Sequence, residues 1–259
     1  MTTVLITGAS AGIGEAFARA LATQKYDLVL VARSEDKLSA IAEQLAAQHS
    51  IRTHVIAQDL TLPNAASTVA AAVESKGLSV DWLINNAGFG RYGEFTQVDR
   101  QTHLQMVQLN VTALVDLTYH FLPAMQQRRS GCILNVSSTA AFQPIPYMSI
   151  YAATKAFILS FSEALWVENQ DYDIKVLAVC PGPTKSQFVD RANFPDSMAK
   201  RMGQNYDSSE EVVRDALKAL DRGQSTVVTG SFSNKVVATL PRLLPRQNVV
   251  KLVGQMFES

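Results

Sequence analysis

Only two cysteines, Cys132 and Cys180, occur in the 259 residues. Two thiols cannot build the multi-bridge scaffold of a small secreted domain or a four-thiolate metal cluster. Both stand in apolar runs and read as buried free thiols in strands, a state that suits a reducing compartment, so a cytoplasmic protein is expected. Histidine is as scarce: His49, His54, His103 and His120 form no HExxH pattern, and no metal site is expected. Neither sign of charge is in excess, since 23 Lys and Arg balance 23 Asp and Glu. That balance gives no case for a dedicated nucleic-acid binder, and no nucleic-acid partner is expected, although a local basic patch remains available to a phosphorylated ligand. No run of 18 apolar residues is present, which argues against a spanning helix, and the start Met1 to Gly8 lacks the charged, apolar and cleavage regions of a signal peptide.

What the chain has is apolar residue, 47% of it, enough to bury a sizeable core in one domain covering residues 1–259. Short β-branched runs alternate with helical periodicity. Val4 to Thr7, Leu28 to Ala32, Thr53 to Ala57, Trp82 to Asn85, Gly131 to Ser137 and Lys175 to Cys180 read as strands, with Thr226 to Thr229 a last short one. Helices are predicted over Ile13 to Thr23, Glu35 to Gln48, Asn64 to Ser75, about 99 to 129, about 149 to 169 and Glu210 to Leu220, the last capped by Ser208 or Ser209. Strands joined by helices form parallel sheets, because the right-handed crossover covers a sheet face. The expected fold class is therefore α/β: a Rossmann-like, doubly wound, mostly parallel sheet flanked by helices on both faces. After Pro181 the period is lost, and residues 183–208, with Phe188, Phe194, Met198 and Met202, read as a substrate lid. The extended segment 236–259 mixes apolar residues with Arg242, Arg246 and Lys251. It reads as a helix pair packed on the body or on another subunit, with Pro241 and Pro245 breaking one continuous helix, and with a weak peripheral membrane contact as the alternative.

The turn Thr7-Gly8-Ala-Ser10-Ala11-Gly12-Ile13-Gly14 follows a strand and opens a helix. In such a turn the first glycine permits the tight bend and the second lets the backbone approach a phosphate. The third lets helix and strand pack closely, and the unpaired helix N–H groups face a pyrophosphate. The second strand ends Ala32-Arg33-Ser34, with no carboxylate before Glu35. Where NAD is selected an acidic residue usually accepts the ribose hydroxyls; an arginine suits a 2′-phosphate, so NADP(H) is the expected cofactor.

With Asp59 after the third strand, Asn85-Asn86-Ala87-Gly88, Asn110, Ser138, Tyr151-x-x-x-Lys155 and Pro181-Gly182 in this order, the chain from residue 3 to about 190 resembles the classical short-chain dehydrogenase/reductase family. The resemblance implies that Asp59 and Leu60 sit against the adenine and that Asn86, Ala87 and Gly88 line the nucleotide cleft. It further implies that Pro181, Gly182 and Thr184 surround the carboxamide, with Ser186 where the family often has a threonine. Tyr151 would be the acid/base, Ser138 would donate to the substrate oxygen, Lys155 would hold the ribose, and Asn110 would hold a water linking Lys155 to solvent. A homo-oligomer is also implied, with the helices near 99–129 and 149–169 pairing; Leu114, Leu117, Phe121, Phe157, Phe161 and Leu165 suit both core and interface.

The chemistry agrees with these residue types. A phenol of ordinary pKa about 10 is a poor base near neutrality without help, and a nearby ammonium lowers that value. Tyr151 and Lys155, four positions apart on a helix, share one face, so Tyr151 is expected to be depressed by Lys155. Tyr147 is followed four positions on by Tyr151 rather than by a lysine and is assigned to the substrate pocket, with Phe89, Phe142, Met148 and Phe188. Phe95, Ile145, Pro146 and Phe194 are expected nearby. This lining favours an apolar or aromatic carbonyl compound as the small-molecule substrate. Rival readings are an epimerase or dehydratase, which usually needs a longer chain, and a non-catalytic NADP(H)-binding regulator or scaffold.

Overall fold

The computed structural model describes residues 2–185, 188–195 and 206–258. Seven strands form one sheet: β1 (Thr3–Thr7), β2 (Asp27–Ala32), β3 (Thr53–Ala57), β4 (Trp82–Asn85), β5 (Gly131–Val136), β6 (Ile174–Cys180) and β7 (Thr226–Val228). Their order is β3-β2-β1-β4-β5-β6-β7, and every neighbouring pair is parallel. The central strands are apolar on both faces because both faces are covered: Val4, Leu5 and Ile6 are all fully buried. The strand order reverses between β1 and β4, so a crevice opens beyond their carboxyl ends, where ligands bind in open α/β sheets.

One face carries α1 (Gly12–Thr23), α2 (Glu35–His49) and α8 (Ser209–Asp221), which bury Phe17, Leu21, Leu38, Leu45, Val212 and Leu220 together. The other carries α3 (Ala65–Ser75), α5 (Ala113–Arg128) and α6 (Ser149–Glu168), through Val69, Val73, Leu117, Phe121, Met125 and Leu165. By length and composition α6 is apolar enough to cross a bilayer, but it is packed along β6 and carries the buried Lys155. Ser208 starts α8 with a reciprocal capping box, its hydroxyl accepting from Glu211 N–H at 3.1 Å while the Glu211 carboxylate accepts from Ser208 N–H at 3.1 Å.

The region expected as one helix over about 99–129 is divided. It comprises α4 (Arg100–Val107), a π-helical turn at Gln108–Thr112 and α5. The wide turn brings Asn110 inside, 1% exposed. Beyond β6, α7 (Phe188–Ala192) belongs to the expected lid; Ser186, Met198 and Met202 lie outside the described residues. The chain ends in α9 (Phe232–Thr239), a 3₁₀ turn at Leu240–Arg242 and α10 (Arg246–Phe257), a helix pair interrupted at Pro241 and Pro245.

Candidate active site

The site begins at the carboxyl end of β1. Gly8 and Gly12 have φ of +67° and +59°, where a side chain is strained. Gly8 N–H donates to Val31 O at 2.8 Å and fastens the turn to β2. Ala11 precedes α1 and has no polar side-chain atom, so the first N–H groups of the helix have no side-chain capping partner. Gly14 does not line the cavity. A Cβ there would lie 2.4 Å from Gly8 O, so its part is close packing of α1 on the turn. Thr7 joins β1 to β4: its hydroxyl accepts from the N–H groups of Asn86 (2.9 Å) and Ala87 (3.0 Å), while Asn86 Nδ2 donates to Thr7 O at 2.9 Å.

From this turn a cavity of about 970 Å³ extends along the sheet edge. Its first half is lined by Ser10, Ile13, Arg33, Asp59, Leu60 and Gly88 among others. Arg33 is exposed at the end of β2, while Lys37, also exposed, stands away from the cavity. Asp59 Oδ1 accepts from Thr61 N–H at 2.9 Å and from its hydroxyl at 2.8 Å, which fixes the carboxylate. A cradle of two positive-φ glycines, uncapped helix N–H groups, an arginine and a fixed carboxylate fits a dinucleotide.

Midway along the cavity stand Ser138, Tyr151 and Lys155. Ser138 stands two residues past β5 and opens a 3₁₀ turn at Thr139–Phe142, its hydroxyl accepting from Ala140 N–H at 3.1 Å. The neighbouring Ser137 is buried and donates to Lys155 O at 2.7 Å, an anchor for α6. Lys155 Nζ donates to Val136 O at 2.8 Å and stands 5.7 Å from the centre of the Tyr151 ring. Asn110 Nδ2 donates to Phe89 O (3.0 Å) and to the Thr154 hydroxyl (3.1 Å), and its Oδ1 accepts from Phe89 N–H at 3.1 Å. It thus pins the 88–89 segment against α6.

The expected direction of the tyrosine shift is corrected. Burial pushes the Tyr151 phenol up to about 12, opposed by a hydrogen bond with Ser138, and burial brings Lys155 down to about 8. Both groups are removed from water, and each is driven toward its neutral form.

The family model described as "short chain dehydrogenase" matches residues 2–196. The chain belongs to the short-chain dehydrogenase family. It is 30% identical to the "Very-long-chain 3-oxoacyl-CoA reductase" of Mus musculus, an alignment covering 98% of this chain and 79% of that protein. Among solved structures, the short-chain dehydrogenase from Sphingobium yanoikuyae in complex with NADPH is 35% identical with a TM-score of 0.81, covering 88% of this chain and 87% of that one. The "bulky-bulky ketone specific alcohol dehydrogenase" from Comamonas testosteroni is 31% identical with a TM-score of 0.80, covering 96% of this chain and 93% of that one. The family is one of oxidoreductases, with relatives acting on carbonyl and alcohol groups and binding nicotinamide nucleotides.

In this short-chain dehydrogenase the far half of the cavity is apolar. Phe89, Ile145, Met148, Phe188 and Phe194 line it, and the Phe188 ring tilts against Tyr151 at 5.2 Å between centroids. Two expected pocket residues are absent from the wall. The 3₁₀ turn carries Phe142 back against Leu159, Ala178 and Cys180. Tyr147 has φ of +63°, which directs it onto Tyr92, 5.7 Å between ring centres, outside the cavity. Phe95 and Pro146 also lie off the lining; Phe95 is 60% exposed and stacks on His103.

The C-terminal helices supply the remaining wall through Val237, Leu252, Val253, Met256 and Phe257, and the Tyr92 hydroxyl donates to Phe257 O at 2.7 Å. Of the segment 236–259, expected to pack on the body or on a neighbour, the described residues pack on the body. Pro181, Gly182 and Thr184 line the cavity, and a Cβ on Gly182 would lie 2.4 Å from the Asn234 amide. Asn234 Nδ2 in turn donates to Asp207 Oδ2 at 2.7 Å and to Thr229 O at 3.0 Å. Asn234, Asp207 and Thr7 were not found from sequence. A threonine directly before the glycine turn was a usable signal for Thr7; Asn234 and Asp207 lie in stretches with no motif.

Proposed function

We propose that this chain is an NADP(H)-dependent carbonyl reductase and alcohol dehydrogenase for bulky apolar or aromatic substrates, acting in the cytoplasm as a homo-oligomer. The observation that carries the reading is the convergence of Ser138, Tyr151 and Lys155 on one cavity, between a dinucleotide cradle and an apolar chamber. Support for NADP(H) comes from the exposed Arg33 on the lining at the end of β2, with no carboxylate before Glu35, and from the NADPH complex of the Sphingobium relative. A bulky ketone agrees with the aromatic wall and with the name of the Comamonas relative. The buried free thiols of Cys132 and Cys180 support the compartment.

The nicotinamide, when bound, exchanges a hydride with the carbonyl carbon. Tyr151, held protonated by burial, donates its phenolic proton to the oxygen as negative charge develops there. Ser138 steadies the same oxygen through its hydroxyl. Lys155 is fixed by Val136 O; it would hold the cofactor's ribose, and its ammonium near the Tyr151 ring favours the phenolate left behind. In alcohol oxidation the phenolate takes the proton back.

The test is NADPH oxidation with a panel of ketones, aldehydes and quinones. Tyr151→Phe should lower turnover by about 100-fold or more while NADPH still binds, and retained turnover defeats the assignment. Arg33→Ala should weaken NADPH far more than NADH; equal losses remove the argument for the phosphate. If the intact, NADPH-bound protein reduces no carbonyl, the non-catalytic regulator becomes the better reading.

A further inference from the structure

Two cations line the apolar end of the cavity. Arg91 follows Gly90, whose backbone is so close to Tyr151 and Phe188 that a Cβ there would lie 3.1 Å from the Tyr151 ring and 2.7 Å from Phe188 Cζ. Arg191 belongs to α7. Their segments are joined, since Tyr92 N–H donates to Ala192 O at 2.8 Å. Gly90 sets the start of the Arg91 segment beside the acid/base residue, whereas Arg191 is exposed on α7. Asp59, at the nucleotide end, is the one carboxylate among the described lining residues. Arg91 is half-buried and makes no hydrogen bond or ion pair to another described residue.

An arginine partly withdrawn from water without a counter-charge is costly. That cost falls when an anion enters. A guanidinium fits a carboxylate best, through two parallel N–H···O bonds. Met148, Phe188, Phe194 and Phe257 in the wall suit a hydrophobic body.

We infer that the natural substrate is an anionic hydrophobic ketone, with a carboxylate at the end of the molecule away from the carbonyl, recognised by Arg91. This rests on the carbonyl-reductase reading and adds the charge of the substrate. An uncharged substrate would leave Arg91 unpaired inside the bound complex.

The probes are 4-benzoylbenzoate and its methyl ester, two diaryl ketones that differ in charge at one end. With NADPH and the full chain, kcat/KM for the carboxylate should exceed that for the ester by roughly tenfold or more, the usual weight of a charged hydrogen bond. In Arg91→Gln this ratio should fall toward one, and Arg91→Lys should restore part of it, which a merely structural role would not. The readout independent of turnover is the shift in melting temperature that each probe gives the NADPH-loaded protein. If neither ketone is reduced but the carboxylate stabilises the wild type and not Arg91→Gln, the reductase reading fails and the anion site stands. A ratio at or below one in the wild type, a ratio unchanged in Arg91→Gln, or no stabilisation by the carboxylate overturns the inference.

Discussion

At Tyr151 and Lys155 the decisive quantity is access to water. Lys155 has an ordinary value of 10.5 and falls to about 8 in the folded chain. Between those values the unfolded chain binds more protons, so stability rises with pH across that window, and below it the cost of a buried ammonium is fully present. Tyr151 works in a higher window: its value rises from 10 to about 12, so between the two the folded chain holds the extra proton and stability falls as pH rises. From pH 7.5 to 9.5 the lysine dominates. Urea denaturation of the ligand-free protein should therefore show the wild type gaining stability relative to Lys155→Met over that interval. The lost bond to Val136 O contributes only a pH-independent offset. Parallel pH profiles for the two proteins count against the burial argument. The identity of this pair was legible, because a spacing of four on a helix places both side chains on one face. The sign of the tyrosine shift was not, since spacing reports the neighbour and says nothing of desolvation.

Elements were legible where periodicity is strong. The parallel strands read as continuous apolar runs because both faces are buried, and α2 and α8 read from one apolar stripe each. Three features of the site escaped. The π-helical turn at Gln108–Thr112 leaves the helical pattern on both sides intact, so residues near 99–129 look like one helix, yet it brings Asn110 inside. The loop from Thr139 to Met148 has no period, so the facing of Phe142 and Tyr147 depended on a 3₁₀ turn and a left-handed residue that composition does not reveal. The tail shows its helices and their proline break. That its apolar face closes the cavity, through the Tyr92 to Phe257 bond, is a contact between residues 165 positions apart that no local pattern encodes.

At the scale of the whole molecule, exposure divides residues that sequence left shared between core and interface. Leu114, Leu117, Phe121 and Leu165 are each at most 8% exposed and belong to the core, whereas Phe157 is 42% exposed. Phe157 stacks on Phe161 at 5.7 Å, and Leu104, Val107, Tyr119 and Val167 are further exposed apolar residues on α4, α5 and α6. A second apolar group, from Phe232 to Met256, is as exposed, but Val237, Leu240, Leu244, Leu252 and Met256 within it also line the cavity. A second copy seated there would obstruct the mouth through which a bulky ketone enters. The surface of α4, α5 and α6 carries no such conflict, and burying large apolar side chains is the main drive for association. The proposed homo-oligomer should therefore pair through this surface. Sedimentation of the wild type at micromolar concentration should give at least twice the chain mass. Phe157→Glu should shift it toward the monomer while NADPH binding persists, because α6 presents Phe157 outward and Lys155 inward. A monomeric wild type, or a variant that assembles as the wild type does, would remove these helices as the interface.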